Sequence, residues 1–111
     1  MHILRLNGFG PTFGRDVERI GRLAVDLRAL QEGRIPTPQD LVDAPTIDRW
    51  AIAATTGTPA LVGHVFGHPM LGTREVLTSP VIVVAPNEGF ARTISRYYRL
   101  GRPSEDTECF W

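Results

Sequence analysis

Lysine is absent from this chain: all twelve basic residues are arginine, balanced by twelve acids. A surface furnished this way presents planar, forked donors that suit carboxylates, phosphates and aromatic faces, not the point charge of an ammonium. Cysteine occurs once, as Cys109, which excludes an intramolecular disulfide. A zinc site assembled from Cys109, His2, His64 and His68 has none of the closely paired ligand spacings that such sites use, and no metal or cofactor is expected. No stretch approaches the ~20 apolar residues of a membrane-spanning helix. The opening Met1-His2-Ile3-Leu4-Arg5-Leu6-Asn7 has no long apolar region before a small-residue cleavage site, so the expected location is cytoplasmic. The glycines are not framed as a dinucleotide fingerprint, and Ser79 and Ser95 lack the glycines of a nucleophile elbow. Asp40, Asp43 and Asp48 read as capping and solubility residues, so an enzyme is not expected.

What is present is one domain's worth of chain, 111 residues with 42% hydrophobic content, enough for a core of its own. Residues 1–14 read as an irregular arm, 15–45 as helical, 46–101 as an antiparallel meander and 102–111 as an acidic-aromatic tail. Val17, Ile20, Leu23, Ala24, Leu27 and Leu30 recur at three- and four-residue spacing, predicting an amphipathic helix over about Arg15 to Glu32, closed by Gly33. Thr37-Pro38-Gln39-Asp40 has the residues of a second, short helix start. Strands are expected around Ile47–Ile52, over Ala60 to Phe66 with Gly63 as a bulge or close-approach point, and over Glu75 to Ala85. Pro80 marks an edge or bulge in the last of these. Pro86-Asn87-Glu88-Gly89 turns the chain, and Phe90 to Leu100 returns as one strand. The expected fold is α+β, an N-terminal amphipathic helix and a short second helix packed on a three- to four-stranded antiparallel sheet.

Charge is balanced globally but not locally: four arginines and no acid lie between Arg92 and Arg102. In one unbroken strand, Arg92, Arg96 and Tyr98 share a face, with Tyr97 and Arg99 on the other. Interleaved Arg and Tyr are over-represented at protein interfaces, and the same residues could contact phosphates and stack on bases. Equally, the arginines can be solvated or paired with Asp/Glu on neighbouring elements, their stems covering apolar surface. The candidate partner-binding residues are Arg92, Arg96, Tyr97, Tyr98, Arg99 and Arg102, facing an acidic protein; RNA or single-stranded DNA is the alternative, against which zero net charge counts. Phe110 and Trp111 are candidates for docking on the domain's own sheet or for self-association into a homodimer.

The second half resembles a small, uncharacterised bacterial domain family of unknown function. The likeness rests on Leu61-Val62-Gly63, Gly67-His68-Pro69 followed by Leu71-Gly72, Thr78-Ser79, and Ala91-Arg92-Thr93 running into Ser95-Arg96-Tyr97-Tyr98-Arg99-Leu100-Gly101. Ala44-Pro45 and Trp50 after a helix fit its first half. The resemblance implies no known activity. Short proteins of this kind among accessory, phage and mobile-element genes imply a non-enzymatic regulator or inhibitor acting by contact.

Overall fold

The computed structural model describes residues 1–55, 58–68 and 72–104. Its contacts divide the chain into two compact units, Met1–Ile35 and Pro36–Trp111.

The first unit is built on α1, Phe13–Gln31. Its end is a Schellman closure: Gly33, at φ +85°, donates to the Leu30 carbonyl at 3.0 Å, and Arg34 donates to Ala29 at 2.9 Å. The arm before the helix folds onto its first turn. The rings of Phe9 and Phe13 stack at 4.0 Å, His2 meets Phe13 edge-on at 5.0 Å, and His2 Nε2 lies 2.6 Å from the Asp16 carboxylate. None of the helix residues is fully buried.

The second unit is a closed barrel of β1 (Thr46–Thr55), β2 (Thr58–His68), β3 (Gly72–Ala85), β4 (Phe90–Thr93) and β5 (Tyr97–Leu100). Successive strands pair antiparallel in an up-and-down meander. Because the number of strands is odd, the pair that closes the ring must be parallel, and β1 and β5 do pair that way through Thr46↔Arg99 and Ile47↔Leu100. This overturns the expected α+β arrangement. A sheet rolled onto itself buries its inner face with its own side chains and needs no covering helix. The core is Ile47, Trp50, Leu61, Val65, Val81, Ala91 and Tyr98, all contributed by strands. The short second helix is absent as well: residues 38–43 form turns, before which Thr37 exchanges backbone-to-side-chain bonds of 2.9 and 3.2 Å with Asp40 without a helix following. Leu41 of that segment is buried, while Val42 is exposed.

Bulges give the strands the bend that closure demands. In β1 the pairing with β2 slips between Asp48 and Ala51; Arg49 takes φ +50°, and Trp50 turns inward, 1% exposed. Opposite lies Gly63, where a Cβ would stand 2.8 Å from the Asp48 carbonyl oxygen and 2.8 Å from Ile47 Cγ1. A second slip falls between Ala60 and Val62, across from Pro80. There Thr78 and Ser79 of β3 stand opposite the single residue Leu61, whose N–H is satisfied by the Thr78 hydroxyl at 2.9 Å.

The parallel seam continues past β5. Gly101 donates to the Ile47 carbonyl (2.8 Å), Trp50 N–H to Arg102 (3.2 Å) and Ser104 N–H to Trp50 (2.8 Å). Asp48 clasps it: the carboxylate accepts the Arg102 backbone N–H at 2.7 Å and its guanidinium at 2.9 Å. The Arg102 side chain and backbone together hold the Asp48 carboxyl down, to about 2. A carboxylate with a depressed folded pKa stabilises above its unfolded pKa, and that stability is lost as pH falls through the folded value. Urea midpoints are therefore expected to stay flat with respect to this group above pH ~4 and to fall towards pH ~2. Asp48→Asn should lower the midpoint at neutral pH and flatten that part of the acid limb.

Candidate functional site

The segment read as one Arg/Tyr strand is two strands joined by a tight turn at Ile94–Arg96. Thr93 makes the turn. Fully buried, its hydroxyl accepts the N–H groups of Ser95 and Arg96 and donates to the Arg96 carbonyl, each at 3.2 Å, while its own N–H donates to that carbonyl at 2.9 Å.

The turn redistributes the candidate residues. Ala91 and Tyr98 are cross-strand partners and both belong to the core. Phe90, Arg92, Tyr97 and Arg99 therefore take the outer face of the hairpin. That face is itself largely covered: Phe90 is buried, and Arg92 is only 2% exposed. The Arg92 guanidinium donates to the Thr93 carbonyl and lies 5.3 Å from the centre of the Tyr97 ring, which also meets Phe90 edge-on at 5.7 Å. Tyr97 is half-buried. Arg99 is exposed, and its Nε donates to the Ala44 carbonyl at 3.0 Å. Arg102 is spent on the Asp48 clasp. The six residues do not form one continuous strip; Phe110 and Trp111 lie outside the described residues.

Arg96 has a different setting. The turn carrying Arg96 bonds to β3 at Pro80, where the Ile94 N–H donates to the carbonyl at 2.9 Å, and the Arg96 charge reaches His68. His68 ends β2 and pairs with Gly72, and Arg74 pairs with Val65. Val76 packs on the core, so alternation puts Arg74, two residues earlier and opposite core residue Val65, on the same side of β3, with its side chain exposed. His68 is 9% exposed, with its ring centre 6.3 Å from that of Tyr98. Burial, then the charges of Arg96 and Arg74, hold its imidazole below the usual histidine range. Burial likewise pushes the Tyr98 phenol up, against the pull of Arg96. Among the described residues, neither the Arg74 nor the Arg96 guanidinium has a side-chain hydrogen bond or an ion pair. Both arginine charges thus act on the buried imidazole.

Arg96 and Tyr98 are among the sequence candidates; Arg74 is not, and no sequence signal sets it apart. His68 was read as part of a turn. His64 is elsewhere, tilted against Phe66 with ring centres 4.7 Å apart. No group of three metal-ligating side chains occurs among the described residues. No helix among them is long and apolar enough to cross a membrane.

The barrel unit is thus a small five-stranded up-and-down barrel with a parallel closing pair, in which the charges of Arg74 and Arg96 act on His68. A family model described as "Family of unknown function (DUF6634)" matches residues 18–109, and the chain belongs to that family, for which no activity is known. No curated protein and no solved structure matches the chain.

Proposed function

We propose that this protein is a non-enzymatic binding module, a regulator or inhibitor that acts by contact with an acidic protein surface. The observation that carries this reading is the pair Arg74 and Arg96, whose charges both act on His68 and whose guanidiniums make no side-chain hydrogen bond or ion pair among the described residues. Forked guanidiniums bind carboxylates bidentately, and charge-assisted bonds of this kind are the strong ones. The interior supports binding over catalysis, because Trp50, Ile47, Leu61 and Val65 fill it. Base stacking is the weaker use of this region: Tyr98 is in the core and Arg92 is covered, which leaves half-buried Tyr97 as the hairpin's partly accessible aromatic.

The test is titration with a six-residue aspartate peptide, read by fluorescence anisotropy at low salt. Wild-type protein should bind, and Arg74→Ala/Arg96→Ala should weaken binding about tenfold or more, since each lost charged hydrogen bond is worth ~1.5–3 kcal/mol. Equal affinity in the double variant removes the reading. An oligonucleotide bound more tightly than the peptide, with affinity falling steeply in salt, would move the partner to nucleic acid.

A further inference from the structure

We propose that residues 1–12, together with the first turns of α1, form a docking surface for an anionic lipid bilayer, on which the protein lies without crossing it. The proposal concerns the first unit alone and does not rest on the reading of Arg74 and Arg96.

Charge in this region has one sign. Residues 1–15 hold Arg5 and Arg15 and no acid, and Ile3, Leu4, Leu6, Phe9 and Phe13 are interspersed with them. Most of this apolar surface is left in water: Leu6 is fully exposed, and Ile3, Leu4, Val17 and Ile20 are each more than half exposed. The arm nevertheless has a defined shape. Arg5 and Gly8 exchange both backbone bonds, at 3.1 and 2.9 Å, and Gly8 takes φ +96°, which closes a tight turn with Leu6 at its corner. Behind that turn, His2 Nε2 meets the Asp16 carboxylate at 2.6 Å and Phe9 stacks on Phe13, pinning the arm to the first turn of α1. Phe13, Val17 and Ile20 follow at four- and three-residue spacing on one face of the helix. Asp16, the first acid in the chain, is engaged by His2 and by Arg19 at 3.5 Å.

The charge selects the occupant. Neither Arg5 nor Arg15 makes an ion pair among the described residues. An anionic bilayer meets both halves of this surface, with hydrocarbon for the leucines and phosphates for the guanidiniums, whose stems lie along the boundary. A second copy fits less well. A two-fold contact would oppose two apolar surfaces that are both rimmed by arginine, and like charges across an interface cost affinity.

The experiment sediments the full chain with vesicles of phosphatidylcholine and phosphatidylglycerol in equal parts, and with vesicles of phosphatidylcholine alone. Wild-type protein should bind the anionic vesicles about tenfold or more tightly than the neutral ones, and less so as salt is added. Leu4→Ser/Leu6→Ser should lose about tenfold or more of that binding. Its urea midpoint should match wild type, because neither side chain belongs to the core. Arg5→Gln/Arg15→Gln should lose roughly fivefold for each charge removed. Arg74→Ala/Arg96→Ala should bind vesicles as wild type does. Absence of wild-type binding, or equal binding to both kinds of vesicle, overturns the proposal. So does binding that survives in the leucine variant or is lost only in Arg74→Ala/Arg96→Ala. A dimer seen by analytical ultracentrifugation and abolished by Leu4→Ser/Leu6→Ser would assign this face to a second copy and overturn it as well.

Discussion

Trp50→Ala is expected to cost the protein about 3–5 kcal/mol, the range for truncating a fully buried aromatic. A small domain has only ~5–15 kcal/mol in total, so a large share of the variant should be unfolded in moderate urea where wild type is not. Three circumstances put Trp50 at the severe end. Its side chain is fully buried in a core made of a few strand residues. Its indole Nε1 donates to the Gly101 carbonyl at 3.2 Å, so truncation also removes a bond across the closing seam. Its backbone N–H and carbonyl, paired with Arg102 and Ser104, hold the seam beyond β5, and they depend on the bulge that aims Trp50 inward. Urea unfolding followed by near-ultraviolet circular dichroism reads the loss directly.

Gly63→Ala is expected to be nearly as damaging, for the opposite reason. The added methyl would stand 2.8 Å from the Asp48 carbonyl oxygen, 2.8 Å from Ile47 Cγ1 and 3.1 Å from Trp50 Cα. Two of these three are backbone atoms of the β1 bulge and cannot rotate away. Overpacking in a dense core costs ~1–3 kcal/mol or more, and here relief requires β1 to move off β2 at the residues that also bond to β5 and to Arg102. Gly89→Ala offers a contrast, since no atom lies within 4 Å of the methyl position and the cost comes from φ +78° alone. Thermal unfolding of the two variants side by side should place Gly63→Ala well below Gly89→Ala.

Local patterns announced themselves in the sequence, and closure did not. The three- and four-residue spacing from Val17 to Leu30 and the glycine after it are enough for α1, because both are short-range devices. Pro80 and Gly63 marked the places where strands slip and approach. The parallel seam joins residues some fifty positions apart, and neither Asp48 nor Arg102 carries a local sign that it will meet the other. The expected open sheet with a helix laid over it failed at that point.

The candidate site misled through a single turn. Ile94-Ser95-Arg96 contains no glycine or proline, so nothing in its composition breaks the strand; the break is made by the Thr93 hydroxyl turning back on the backbone. Under strand alternation Arg92, Arg96 and Tyr98 share one face. With the turn in place, Arg92 faces outward and is covered, Tyr98 enters the core, and Arg96 is left in the turn. Arg74, whose charge also acts on His68, comes from β3, where an adjacent Arg-Glu pair in a β-rich run has no pattern to stand out from.

The most direct measurement is the affinity of the aspartate peptide for Arg74→Ala/Arg96→Ala set against Arg99→Ala, whose guanidinium is exposed but lies on the outer face against the Ala44 carbonyl. If the Arg74/Arg96 pair is the recognition surface, the double variant loses about tenfold or more and Arg99→Ala binds as wild type does. The opposite ranking, with Arg99→Ala crippled and the double variant intact, would place recognition on the hairpin's outer face and contradict the account.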